Sequence, residues 1–413
     1  MVLHVGSLAW PATFPNRPTY PSLEKNITCD CLIIGGGVGG ALSTYKLQSR
    51  GMDTVIVDKH VMAGGSTAAN TGILQYTNDK SLTSCIHTFG EATGVAFYRL
   101  CQQALTQLRS LHQELSADTD FIPRSSLYFA STEEDLPALR TEWETLSKYG
   151  FEAEWWDAQQ IGAHFPFTKP AGIITHGDAE VNPYKFTLSV LEAASKRGAR
   201  VFENTEITSY RFHDDHVTCY TRNGTIKAKH VIFATGYETQ EIKRDQGAVL
   251  TTTFAVVTKP VPDLSTWYDR YMIWETARPY LYMRTTPDHR IVIGGLDEPL
   301  LAPNDAQIRL LHHSKRLVHE AEALFPDLAP LEIEYAWAST FGSTRDGLPL
   351  FGQHESYPHC YFLEAYGGNG TVYSMIGAEL LADTLTGTKR PEMELFSLTR
   401  SSKPAPDQQT QLF

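Results

Sequence analysis

The chain has 413 residues, a formal net charge of −12 and an ordinary globular balance of 42% hydrophobic and 20% charged residues. An acidic surface of this kind repels phosphate backbones, which argues against nucleic acid as a partner. No apolar run reaches the roughly 18 residues that a membrane helix needs, and six scattered cysteines are too few for a disulfide framework, so the expected setting is the reducing cytoplasm.

The first 27 residues lack the basic start and apolar core of a signal peptide. They form an arm rich in proline and aromatics (Trp10, Pro11, Phe14, Pro15, Tyr20). Prolines at that density exclude a helix, and the aromatics imply that the arm lies on the body. Residues 28–34 read as a buried strand, 35–40 as a turn, 41–49 as an amphipathic helix and 53–57 as a second strand. Cys29 and Cys31 alternate along the first strand and are expected to pack together on one face. Further helices are expected at 91–115, 133–149, 183–197, 305–324 and 371–385. The first of these rests on Leu100, Ala104, Leu108 and Leu111 at helical spacing. Strands are expected at 126–130, 171–176, 199–203, 206–213, 216–222, 225–229 and 230–234, with Asn223-Gly224 as a hairpin turn. A second set is expected at 251–260, 280–284, 290–294, 332–340 and 361–364.

Gly35, Gly37 and Gly40 form a GxGxxG between a strand and a helix, and the second strand ends on Asp58, twenty-three residues after Gly35. This is the dinucleotide-binding arrangement. Gly35 permits the turn, Gly37 admits the pyrophosphate and Gly40 lets helix and strand pack closely. The helix N-terminus meets the phosphates, and Asp58 accepts from a ribose hydroxyl. The loop from Gly64 to Gly72, built of small and hydroxyl residues, suits a chain lying along a pyrophosphate and beneath a flavin. Ala234-Thr235-Gly236 ends an apolar strand at a sheet's carboxyl edge, where ligands bind. Gly367-Gly368-Asn369-Gly370-Thr371 opens a helix whose N–H groups suit the N1/O2 edge of a flavin. Together these point to FAD. The expected cofactor residues are Gly35, Gly37, Val38, Gly39, Gly40, Asp58, Lys59, Gly65, Ser66, Thr67, Asn70, Gly72, Ile73, Ile207, Ala234, Thr235, Gly236, Gly342, Gly367, Gly368, Asn369, Gly370 and Thr371.

The fold class is therefore α/β, with a Rossmann-type FAD-binding domain at 28–88, 167–247 and 332–400. It interleaves with an α+β substrate domain on an antiparallel sheet at 89–166 and 248–331. The arm at 1–27 precedes them and a tail at 401–413 follows. With Glu180-Val181-Asn182-Pro183, Gly198-Ala199-Arg200-Val201, Ile207 and Thr344-Arg345-Asp346-Gly347-Leu348-Pro349 added, the chain resembles the D-amino-acid-oxidase-type (DAO) flavoproteins. Its pattern is nearest the gamma-glutamylputrescine oxidoreductase and glycine oxidase branch. The resemblance implies oxidation of an amine or amino-acid-like C–N bond by hydride transfer to flavin N5, followed by imine hydrolysis. It requires no general base in the chemical step.

Two departures from that family bear on the substrate. Where relatives acting on amino acids carry a carboxylate-clamping arginine, this chain has Phe341; where relatives with covalent flavin carry cysteine, it has Ser339. The resemblance thus implies non-covalent FAD and disfavours a simple amino acid. Tyr280, Tyr282 and Arg284 alternate and should share one strand face, so Tyr280, Arg284 and Phe341 are the candidate catalytic-chamber residues, with Arg284 free to bind an acid. Trp337, Phe341 and Tyr366 are expected to wall the chamber. His87 and His176 read as ordinary histidines, and His312-His313 as an exposed pair rather than a metal site. Two alternatives stay open: an NAD(P)H-dependent flavin monooxygenase, and a non-catalytic flavoprotein subunit of a larger dehydrogenase.

Overall fold

The computed structural model describes residues 1–243 and 247–400; the expected tail at 401–413 lies outside the described residues. Two sheets organise the chain. The eight-stranded sheet runs Leu350–Gln353, Cys360–Glu364, Thr225–Phe233, Ile27–Ile34, Thr54–Val57, Arg200–Phe202, with Ser209–Phe212 and Val217–Tyr220 folded back on the third of these as antiparallel strands. Its four inner pairings are parallel, as the strand–helix–strand reading requires. Thr225–Phe233, expected as two strands, forms one, because the ladder against Ile27–Ile34 passes from Ala228↔Cys29 to His230↔Cys31 in the same register.

The carboxyl ends of Ile27–Ile34, Thr54–Val57, Thr225–Phe233 and Cys360–Glu364 lie side by side. The residues that follow them (Gly35, Asp58, Ala234, Ala365) all open onto one cavity. Helix Val38–Ser49 is not amphipathic. Residues from Gly39 to Leu47 are buried almost without interruption, because the helix is enclosed between the sheet and helices Pro183–Lys196 and Gly370–Leu385.

Cys29 and Cys31 do not share a face. Asp30 and Cys31 both donate their N–H to the Asp53 carbonyl, at 2.9 and 3.1 Å. That doubled contact is a bulge; it rotates the strand, so Cys29 and Cys31 enter different apolar clusters. All six cysteines are buried and free.

The ten-stranded sheet is mostly antiparallel and carries the second core. Helix Pro303–Leu324 covers one side of it with Leu310, Leu317 and Ala321. His313 on that helix is buried, not exposed as expected, and its Nε2 lies 2.8 Å from Glu298. Ala171–Glu180 and Ile333–Thr344 belong to this sheet, although both were expected within FAD-binding segments. The chain thus changes sheet more often than its turn signals suggest. In the arm, Trp10–Thr13 makes a short 3-10 turn and His4–Ser7 adds an edge strand to Ile333–Thr344. No described helix is long and apolar enough to cross a membrane.

Candidate active site

One cavity of about 640 Å³ runs from Asp58 to the faces of Tyr280 and Tyr282. Its size is that of a cofactor-and-substrate site. All the expected cofactor residues line it except Gly40, Gly72 and Gly342, and those three act one layer behind. A side chain at Gly40 would fall 1.9 Å from the Gly35 carbonyl oxygen, so only glycine lets the helix close on the turn. Gly72 has φ +75°, and its missing side chain leaves room for the Val181 carbonyl, 2.1 Å from where a Cβ would lie. Gly342 accepts from the Gly367 N–H at 2.8 Å and so sets the second glycine loop.

The residues present fit FAD. Helix Val38–Ser49 has no carboxylate in its first turn, and the Val38 N–H is held by Thr67 Oγ1 at 3.0 Å. Asp58 accepts from the N–H groups of Gly36 and His60, both at 2.7 Å; burial pushes its carboxyl up against these bonds. Lys59 pairs with Glu238 at 2.9 Å. At the other end, helix Gly370–Leu385 also starts without a carboxylate in its first turn, and the residues from Gly367 to Thr371 turn its N-terminus toward the cavity. That is a positive pole suited to electron-rich flavin oxygen and nitrogen, with the Gly368 N–H already taken by the Asp79 carboxylate. Asn369 Nδ2 anchors this turn to the Thr77 carbonyl (2.6 Å) and to Asn78 Oδ1 (2.7 Å).

Tyr280, Tyr282 and Phe341 line the chamber beyond this pole; Arg284 does not. Two residues past Tyr282, the strand has run beneath the loop from Gly64 to Gly72. Arg284 is 1% exposed there, with Nε on the Thr71 carbonyl (2.7 Å), Nη2 on that of Val181 (3.0 Å) and Nη1 on that of Thr285 (2.9 Å). Its guanidinium lies 5.2 Å from the Trp10 ring, and Trp10 Nε1 in turn donates to the Asn70 carbonyl at 2.6 Å. Arg284 and the arm therefore clamp the loop from outside the cavity. Trp337 is also no wall: it is fully buried and donates to the Ala69 carbonyl at 3.0 Å. Phe341 and Tyr366 do line the cavity, with Tyr366 stacked on Tyr237 at 5.4 Å and bonded to the Gly236 carbonyl.

Sequence reasoning missed Asp79, Asp297 and Thr77. Asp79 lies in the bend after strand Ile73–Leu74, and Asp297 on strand Ile291–Pro299 two residues past Gly295 (φ +134°); neither has a spacing signal, since the fold brings them together from distant segments. Asp79 opens onto the cavity while protein surrounds it on its other sides. It accepts from the Gly368 N–H and the Tyr280 hydroxyl, and burial pushes its carboxyl up. Asp297 accepts from Thr253; burial and the charge of Asp79 raise it to about 6. Trp274 stacks on Tyr128 at 3.8 Å. His176 bridges Ser125 and Glu154 at the surface. Among the described residues, no group of three or more His, Cys, Asp or Glu side chains is arranged to hold a metal ion.

A parallel sheet with its glycine turn, a second glycine turn at a helix start and a long cavity between two sheets define a flavin-dependent oxidoreductase. The family model for the DAO group, described as FAD dependent oxidoreductase, matches residues 30–384. The chain belongs to that family, and FAD is its cofactor. It is 24% identical to gamma-glutamylputrescine oxidoreductase of Escherichia coli (strain K12), covering 89% of this chain and 86% of that protein. It is 25% identical to glycine oxidase of Geobacillus kaustophilus (strain HTA426), covering 90% and 97%. The crystal structure of glycine oxidase from Geobacillus kaustophilus superposes with a TM-score of 0.78 at 21% identity, covering 91% of this chain and 99% of that one. L-amino acid deaminase from Proteus vulgaris gives 0.77 at 18%, covering 93% and 99%.

Proposed function

We propose that the protein oxidises a C–N bond of an amine or amino-acid-like substrate to an imine, which water then hydrolyses to a carbonyl compound and an amine. The observation that carries this reading is the continuity of the cavity: the helix start from Gly367 to Thr371 and the aromatic chamber of Tyr280, Tyr282 and Phe341 line the same space. FAD, held by the glycine turns at Gly35–Gly40 and Gly367–Thr371, would supply the two-electron acceptor for the substrate hydride. The protein's own residues hold and dry the substrate. Phe341 and the Tyr280 and Tyr282 rings, 5.6 Å apart, exclude water and favour the neutral amine that owns a free lone pair. Asn369 and Gly342 fix the second glycine loop, and Thr67 fixes the first. The names of the two relatives, one acting on gamma-glutamylputrescine and one on glycine, support a nitrogenous substrate.

Anaerobic mixing of the yellow protein with a panel of amines and N-alkyl amino acids tests this. Loss of the flavin's visible band with at least one member is expected. No bleaching by any member, with normal bleaching by dithionite, would overturn it.

A further inference from the structure

Asp79 and Asp297 face the chamber, and the charge of Arg278 offsets part of theirs. Among the described residues Lys59 is the only lysine or arginine lining the cavity, and it is held by Glu238 beside Asp58. Arg278 itself is exposed and does not line the cavity; it lies 4.8 Å from the Tyr280 ring and donates to the Ala277 carbonyl at 2.9 Å. Other groups facing the pair are the hydroxyls of Tyr280, Tyr282 and Thr253. A third, independent observation points to a ligand. Thr77 is 8% exposed and lines the cavity, and its hydroxyl has no hydrogen-bond partner. It is one residue removed from Asn78 and two from Asp79, and its buried hydroxyl is left without a partner in the protein.

Two carboxylates, with an unfilled hydroxyl nearby in the chain and the π face of Trp274, make a surface for an ammonium ion. A substrate carboxylate would instead meet like charge without a buried arginine to clamp it. We propose that Asp79 and Asp297 form a cation subsite that selects a substrate bearing a second positive charge beyond the nitrogen being oxidised: a diamine or longer oligoamine. This rests on the amine-oxidation reading and specifies its substrate class. The oxidised nitrogen is neutral against the aromatic wall, while the distal ammonium is held at the acids. A charge-assisted hydrogen bond in such a chamber is worth about one to two decades in affinity.

The test uses the FAD-bound protein and two measurements. Anaerobic calorimetric titration of the dithionite-reduced protein with 1,4-diaminobutane, a dication whose ammonium groups can donate and which the already reduced flavin cannot oxidise, reads the subsite without turnover. Binding is expected for the wild type, strengthening as pH rises through about 6 as Asp297 ionises, and weakened roughly 10-fold or more in Asp79→Asn and in Asp297→Asn. Flavin content and visible spectrum report that each variant is intact. Anaerobic bleaching is then compared for 1,4-diaminobutane, butylamine and 4-aminobutyrate, with a preference of at least 10-fold for the diamine over the other two expected, collapsing in either variant. Equal bleaching by the diamine and butylamine, or dication binding unchanged in both variants, would overturn the subsite while leaving amine oxidation standing. Failure of every amine to bleach, with dication binding that depends on both acids, would overturn the proposed reaction and retain the subsite.

Discussion

Replacing Arg284 with methionine removes a buried guanidinium of similar length while keeping apolar volume beneath the flavin loop. Two of its three hydrogen bonds bear on that loop: one goes to the Thr71 carbonyl within it, and one to the carbonyl of Val181, whose own N–H donates to Gly72; the third stays within its own strand at Thr285. Hydrogen bonds from a charged donor contribute about 1.5–3 kcal/mol each, so the two together hold the loop by about 3–6 kcal/mol. Relief from burying the cation, whose guanidinium is already pulled below its ordinary value by desolvation, offsets part of this. A net loss of about 3 kcal/mol in loop order raises the Kd for FAD about 100-fold, at about 1.4 kcal/mol per decade. Equilibrium dialysis against FAD measures it. At saturating FAD, KM for any amine substrate should stay within about twofold of wild type, because Arg284 does not reach the chamber. Trp10→Leu, which loses the 2.6 Å bond to Asn70 and the contact with the guanidinium, should move FAD affinity the same way, by about 10-fold. Unchanged FAD affinity in Arg284→Met, with selective loss of carboxylate-bearing substrates, would refute the clamp and restore Arg284 to the substrate.

Gly72→Ala should lower Tm and FAD occupancy more than any other single change in the loop, by about 3 kcal/mol or more. The new methyl meets the Val181 oxygen in a left-handed backbone, and differential scanning fluorimetry with and without FAD reads both effects. Trp337→Phe leaves the buried Ala69 carbonyl without its donor and should cost about 1–3 kcal/mol in urea unfolding with no change in substrate preference. Asp178 is fully buried, accepts from Ser126, Thr175 and the Tyr76 N–H, and has its carboxyl raised to about 6. The folded state therefore holds a proton that the unfolded chain has released. Stability should fall by about 3 kcal/mol as pH rises from about 4 to 6 and then level off. Asp178→Asn should remove that slope; an identical slope in the variant would show that other groups cause it.

The cofactor site was largely legible because its parts are local. A glycine turn, the strand before it and the helix after it lie within one short stretch, and each imposes its own backbone requirement. Asp58, Ala234 and the second glycine turn were legible for the same reason: each sits where a parallel strand ends, and the strands themselves read as apolar runs. Arg284 shows where that kind of reading stops. Alternation along the strand correctly put it on the face of Tyr280 and Tyr282, but a strand's period says nothing about what covers each position. The arm and the loop from Gly64 to Gly72 cover Arg284 and leave the tyrosines open. Cys29 and Cys31 differ for a similar reason, since a bulge depends on the neighbouring strand's Asp53 carbonyl rather than on the bulged residues. The sequence by itself determined that this chain binds FAD, because the turn chemistry is written in consecutive residues. Only the tertiary structure decided which acids meet above it. Asp79 lies in the bend after strand Ile73–Leu74 and Asp297 on strand Ile291–Pro299, and they face one chamber only because both sheets border the same cavity.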